Sequence, residues 1–337
     1  MGADDWLRTG IGRSTPDSIT VRGRDLARDL MGQVSFSELA FLLAGNRIPE
    51  PGETRLFDAA LVALADHGLT PSVLAARLTW TGATEGLQGA VAAGLLGAGN
   101  IFLGVVDDTA RFLAAVLADA AADQDAGSDP EATVGRNRLR SEGYRRPSTP
   151  AERNRSHPPA TAQPDQPAAA PAPPAEPVGR AAERAVAAEA ESVGRAVQRA
   201  VAAEIAAGRR IPGLGHPVHK VTDPRTPRLY AIAAEGGLPT PHLDALQLVA
   251  AAHAAATGKA LPINGAGAAG AAWADLGFPP DIIRGFALLA RAAGLIGHLA
   301  EEMAEPIGRR LWLEVEHRAT YTAGPDGPDG PERPDGP

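Results

Sequence analysis

The sequence predicts an all-α protein. Three observations carry that prediction. Apolar residues recur at helical spacing between polar stop signals. Alanine is abundant, while aromatic residues make up only 4% of the 337. No run of alternating β-branched residues reads as a strand, so little or no sheet is expected. Alanine is the strongest helix former and buries little area. The core is therefore expected to come from closely packed helices rather than from bulky side chains.

The elements follow in order. Ser35-Phe-Ser-Glu38 reads as a capping box, in which a serine hydroxyl and a glutamate satisfy each other's orphan N–H groups. It opens a helix through Leu39, Leu42 and Leu43 that stops at Gly45-Asn46, before Pro49. A second helix from about Glu53 carries Leu56, Ala60, Leu61 and Leu64 and stops at Gly68. Thr70-Pro71 supplies an N-cap with proline at the first helical position. Gly86 to Val106 has only Gln88 and Asn100 as polar residues. It approaches the roughly 20 residues needed to span a bilayer, but it is diluted by six glycines and flanked by nothing basic. It is expected to be a buried core helix.

Composition changes after Ala122. Residues 123–180 hold 11 of the 30 prolines and only four large apolar or aromatic residues. Such a segment cannot bury enough apolar surface to offset its ordering entropy, so it reads as a disordered insertion. Helix resumes near Arg180, with Val186, Val193, Val197, Val201 and Ile205 as one stripe and Gly208 as the stop. Residues 323–337, rich in Gly-Pro-Asp, read as a low-complexity tail.

The net charge of −8 offers no basic field for nucleic acid or anionic lipid. With no cysteine there is no disulfide, thiolate metal site or cysteine nucleophile. The start of the chain is polar and has no apolar signal region. A cytoplasmic protein is expected. No histidine, aspartate and glutamate set has metal-ligand spacing. No Gly-x-Ser-x-Gly element, Walker loop or dinucleotide fingerprint appears.

One segment concentrates chemistry: Ile211-Pro-Gly213-Leu-Gly215-His216-Pro-Val-His219-Lys220-Val-Thr-Asp223-Pro-Arg225. Glycines flanking a histidine let a ligand or another chain approach the backbone. Arg209, Arg210, Lys220, Arg225 and Arg228 cluster in an otherwise acidic chain. Such a cluster can hold phosphates or carboxylates; spacing alone equally allows a solvated turn with scattered charges. His67 and His253 sit in helical patterns and read as core-edge or capping residues.

This segment resembles the citrate synthase signature Gly-x-Gly-His-x-Val-x-Lys followed by Asp-Pro-Arg. Ala290-Arg291-Ala-Ala-Gly294-Leu-Ile-Gly-His298 resembles the family's Ala-Arg-Thr-x-Gly-x-x-Ala-His element. Ile19-Thr-Val-Arg22-Gly23, the helix from Ser35, and Ile48-Pro49 resemble its N-terminal pattern. The likeness covers about residues 18–120 and 181–322 and is greatest to the short, citryl-CoA lyase-like branch. It implies a citrate synthase-like fold with a large helical domain (19–103 and 281–321) and a smaller one (104–122 and 181–277), after an N-terminal segment of residues 1–18. It also implies a homodimer in which the glycine-rich helix from Glu85 packs on its twin.

The resemblance implies that the protein makes or cleaves the carbon–carbon bond of citryl-CoA. The coenzyme A thioester is a substrate and no cofactor is bound permanently. His216 is then the histidine that polarises the oxo-acid ketone. Arg225 and Arg291 clamp its carboxylates, and Arg309, or else Arg310, stands where the family has a final arginine. Gly213, Gly215 and Lys220 are the candidates for contact with coenzyme A. Two departures qualify the likeness. The family's Leu-His-Gly-Gly-Ala-Asn element falls on Leu95-Leu96-Gly97-Ala98-Gly99-Asn100, and its Asn-Val-Asp element on Asn264-Gly265-Ala266. The enol-stabilising histidine is thus Leu96 and the catalytic aspartate Ala266, neither of which can move a proton. Asp275 and Glu85 are the nearby carboxylates that could substitute, although each reads first as a surface or capping residue. The alternative is a catalytically impaired relative that binds coenzyme A or an oxo-acid as a sensor or partner subunit.

Overall fold

The computed structural model describes residues 7–126 and 178–322. Three short antiparallel strands open it: β1 (Gly12–Ser14), β2 (Ile19–Val21) and β3 (Arg24–Asp25). They add a small sheet to a chain in which little or none was expected. Strands of two or three residues leave no alternating run in the sequence to detect. Arg22 and Gly23, at φ 47° and 79°, turn β2 into β3. The Arg22 guanidinium donates to the Leu43 carbonyl and ties the sheet to the first helix.

The remaining regular structure is helical. α1 (Phe36–Gly45) starts on the expected capping box: Ser35 Oγ accepts from the Glu38 N–H at 3.2 Å, and Glu38 accepts from the Ser35 N–H at 2.7 Å. It stops at Asn46 in the left-handed conformation. α2 spans Pro51–Ala65 and α3 spans Pro71–Gly82, the latter capped by Thr70. α4 (Leu87–Leu96), a π-helical turn (Gly99–Leu103) and α5 (Gly104–Ala126) follow. Gly86 to Val106 is therefore not one buried helix. The helical stretches on either side of Gly97–Gly99 meet at 71°, and Leu96 and Ile101 are each 83% exposed. The glycines that dilute the run break it, since backbone without Cβ bends at little steric cost.

α6 (Val178–Ala206) carries the predicted stripe; Val197 and Val201 are buried, but Val186 and Ile205 at its ends are exposed. Then come α7 (Arg225–Glu235), α8 (Pro241–Thr257), α9 (Gly265–Asp275), α10 (Pro280–Ala304) and α11 (Gly308–Arg318). Of the expected insertion, residues 123–126 finish α5 and 178–180 begin α6. The rest of it, and the tail 323–337, lie outside the described residues.

The described chain divides into two compact units. One takes the residues up to Phe112, Pro212–Leu246 and those from Leu261; the other takes Leu113–Ile211 and Gln247–Ala260. This differs from the expected division, because α7 and α9 pack on α2 and so join the first unit. The core of that unit corrects a second expectation. The few aromatics are concentrated rather than absent: Phe41, Phe57, Trp273, Phe278 and Phe286 form one cluster, with edge-to-face pairs at 4.7–5.3 Å. Such pairs contribute about 0.5–1.5 kcal/mol each beyond area burial. Close helix approach is present too. A Cβ on Gly294 of α10 would lie 2.0 Å from the Ala65 carbonyl oxygen at the end of α2.

α10 is long and apolar enough to cross a membrane by length and composition. Here its apolar face (Ile283, Phe286, Ala287, Leu295 and Leu299) is buried against α2, α3 and α4. In the second unit, α5 and α6 are joined by Ser192 Oγ donating to the Ala120 carbonyl at 2.6 Å and by Arg199 paired with Asp119 and Asp123.

Candidate functional site

The loop before α7 is built to hold one histidine in place. Gly213 and Gly215 sit at φ 82° and 79°, a left-handed conformation that costs L side chains energy. Leu214 pairs with Ile263 in a single bridge. The Gly215 N–H donates to the Pro262 carbonyl at 2.7 Å, and the Asn264 N–H to the Gly213 carbonyl at 2.9 Å. Asn264 caps α9: its Oδ1 accepts from the Gly267 N–H, and its Nδ2 donates to the Gly215 carbonyl. A Cβ on Gly267 would come within 2.4 Å of the Gly213 Cα. The Gly213 carbonyl and both backbone groups of Gly215 are therefore engaged inside the protein. Their geometry serves loop–helix packing, which accounts for them without a coenzyme.

His216 follows at once. Its Nδ1 accepts from the N–H groups of Val218 (3.1 Å) and His219 (3.0 Å), and Lys220 Nζ donates to its carbonyl. An Nδ1 that accepts leaves the ring proton on Nε2, so His216 presents an N–H donor. Burial, and then the neighbouring His219, push its pKa below the usual value, which keeps the ring neutral. The His219 ring stacks on it at 4.5 Å, and His67 lies 5.1 Å from His216 and 5.8 Å from His219.

The ring nitrogens of these three histidines come within 4.8 Å of one another, a spacing compatible with a metal ion. The tautomer argues otherwise. With Nδ1 taken by two backbone donors and Nε2 protonated, His216 has no free lone pair to give a metal. His67, read from sequence as a core-edge or capping residue, is instead a member of this cluster. The signal available was the Asp66-His67-Gly68 triplet, titratable residues in a helix break where a cap alone would do.

Two arginines act on this region: Arg225 on His216, and Arg291 on Arg225 and on Asp66, the residue before His67. Arg225, at the start of α7, donates from Nε and Nη2 to the carboxylate of Asp223 at 2.9 and 2.7 Å and from Nη1 to the Ala63 carbonyl. Asp223 is fully buried. Burial pushes its pKa up, but hydrogen bonds from Arg225 and from the Gly265 N–H outweigh this and hold it well below the usual carboxylate range. Arg291, on α10, is 7% exposed, and among the described residues its Nη1 is buried without a partner. Burial lowers its pKa; Asp66 counters that and Arg225 adds to it. Arg309 is exposed on α11 and lines a shallow pocket with Arg310, Leu313 and His317.

The substitute carboxylates fare no better. Asp275 is buried and accepts from the N–H groups of His242 and Leu243 and from the His242 ring, so it is a structural cap of α8. Glu85 is exposed in the turn between α3 and α4. Ala266 lies half-buried in the first turn of α9.

Comparison with known proteins bears on the fold and the family. Residues 174–312 match the family model of the citrate synthase C-terminal domain. A citryl-CoA lyase from Hydrogenobacter thermophilus has a similar structure, with TM-score 0.67 and 25% identity over 96% of each chain. This chain's fold is citrate synthase-like, and within that superfamily the chain is similar to citryl-CoA lyase. The fold also recurs in ATP citrate lyase from Methanothrix soehngenii, solved with citrate and coenzyme A (TM-score 0.62, 18% identity), and in a Methanosaeta concilii ATP citrate lyase variant solved with (3S)-citryl-CoA (TM-score 0.59, 18% identity). In both cases 95% of this chain covers 42% of the longer one. No curated protein matches the chain by sequence.

Proposed function

We propose that this citrate synthase-like protein makes or cleaves the carbon–carbon bond of citryl-CoA, with acetyl-CoA and oxaloacetate on one side and the citryl thioester on the other. One observation carries the reading: a neutral histidine with an Nε2–H donor lies near Arg225, and Arg291, which acts on Arg225 and on Asp66, keeps a buried guanidinium nitrogen unpaired among the described residues. An unpaired buried donor is costly unless a ligand satisfies it. A dicarboxylate with an adjacent ketone is complementary to such a set. The arginines match the carboxylates, and the Nε2–H polarises the carbonyl as charge develops on it.

The complexes of related lyases with citrate and coenzyme A support the substrate class. Coenzyme A enters as substrate, with exposed Lys220 the remaining candidate contact of the three expected ones. Acetyl-group enolisation is the weaker half of the reading, since Leu96 and Ala266 supply neither donor nor base. The proposal includes a homodimer; the bend after α4, where Leu96 and Ile101 are exposed, is the face for it.

The test is a citryl-CoA cleavage and condensation assay with free-thiol detection, run beside calorimetry with oxaloacetate and citrate. Turnover in either direction is the expected result. Binding of the acid with no turnover would replace the enzyme by a binding-only relative. Absence of both would remove the reading.

A further inference from the structure

We propose that His298 is a positioning residue of this site: through Asp66 it fixes the loop that sets His67 against His216. Among the described residues, the His67 side chain makes ring contacts with His216 and His219 but no hydrogen bond. Its position therefore depends on its backbone, the five-residue break between α2 and α3. That break is held by Asp66. Oδ2 accepts from the Gly68 N–H at 3.0 Å, and Oδ1 meets His298 Nε2 at 2.8 Å.

The strut continues inward. His298 Nδ1 lies 3.1 Å from an Arg77 nitrogen. A guanidinium can only donate, so Nδ1 accepts and Nε2 carries the proton given to Asp66. The Arg77 side chain is 1% exposed; it also pairs with Glu301 and, at 3.0 Å, with Glu302, which is 2% exposed. Glu302 in turn accepts from the N–H groups of Ile307 and Gly308 and so caps α11. The chain of contacts runs from a buried cap, through a buried arginine, to the residue next to His67. His298 lies two turns from Arg291 on α10, so one rigid helix supplies both the unpaired guanidinium and the strut. A group held by a supported second layer on regular structure keeps its geometry better than one on a free loop.

The inference rests on the oxo-acid reading only for its ligand-based readout. The experiment uses the full chain and three forms: wild type, His298→Ala and His298→Gln. A glutamine amide accepts through its oxygen from Arg77 and donates through its nitrogen to Asp66, as the neutral imidazole does. Loss of such support costs about tenfold or more in binding or rate. Oxaloacetate affinity by calorimetry is therefore expected to fall at least about tenfold in His298→Ala and to return to near wild type in His298→Gln. The imidazole signals of His67, read by long-range nitrogen–proton NMR without ligand, are expected to shift or broaden in His298→Ala and to be preserved in His298→Gln. Unchanged His67 signals in His298→Ala would overturn the proposal, as would a folded His298→Gln whose His67 signals are as perturbed as in the alanine form. If wild type binds no oxo-acid, the functional reading fails, while the NMR result still decides the positioning role.

Discussion

Arg291 is buried with one guanidinium nitrogen unpaired among the described residues, and that sets stability against binding at a single residue. An orphaned buried donor costs about 1–3 kcal/mol. Arg291→Met, which fills similar volume without the charge, is expected to raise stability by about that amount and to abolish dicarboxylate binding. A thermal melt beside calorimetry checks both halves, and a lower melting temperature would show that Arg291 is satisfied after all. Arg225 behaves oppositely. It neutralises buried Asp223, and breaking a buried pair costs about 3–5 kcal/mol. Arg225→Ala therefore tests folding as much as binding, whereas His216→Ala removes only a neutral hydrogen bond to the ligand, about 0.5–1.5 kcal/mol. Asp223 also sets an acid limit. Its folded pKa lies below the unfolded value of about 3.9, so its contribution is fully present above that pH and is lost as pH falls toward the folded value. Stability is expected to be flat in this respect near neutrality and to decline below about pH 4; Asp223→Asn, followed by denaturant titration across pH, should flatten that decline.

At the scale of elements, local signals were legible where a few adjacent residues decide the outcome. The Ser35–Glu38 box, the Thr70-Pro71 start and the Gly208 stop all act within one turn, and the structure has them. The bend at Gly97–Gly99 was not legible, because a glycine-rich apolar run fits a buried helix and a broken one equally well. The contact between α10 and α2 shows what a single methyl group can do. A Cβ on Gly294 would overlap the Ala65 carbonyl, one residue before Asp66 and one turn from Arg291. Overpacking typically costs about 1–3 kcal/mol. Gly294→Ala is expected to destabilise by at least about that much and to weaken oxo-acid binding by moving Asp66 and Arg291 apart. Gly297→Ala on the same helix, where a Cβ meets nothing within 4 Å, serves as the control; equal melting temperatures for the two variants would refute the account.

At the scale of the molecule, the proline-rich segment is the clearest test of composition as a guide. α5 reaches Ala126 and α6 starts at Val178, and Asp123 pairs with Arg199, so a deletion should spare both helix ends. Replacing residues 127–177 by a short Gly-Ser linker is expected to leave the melting temperature and ligand affinity nearly unchanged. A large fall in either would mean that the segment packs on the protein.

The sequence by itself determined the helical class and the caps, because periodicity and capping are local; the loop bearing His216, with Arg225 and Arg291, it singled out as a site only through resemblance to a family. It also showed that Leu96 and Ala266 carry no proton-transfer group, a matter of residue identity alone. Only the tertiary structure decided that His67 joins His216 and His219 and that Asp275 is a buried cap. It likewise decided that the aromatics gather in one core and that α7 and α9 belong with α2. Each of these depends on residues far apart in the chain meeting in space. Side-chain pairing and burial across such distances follow from packing, which no local pattern encodes.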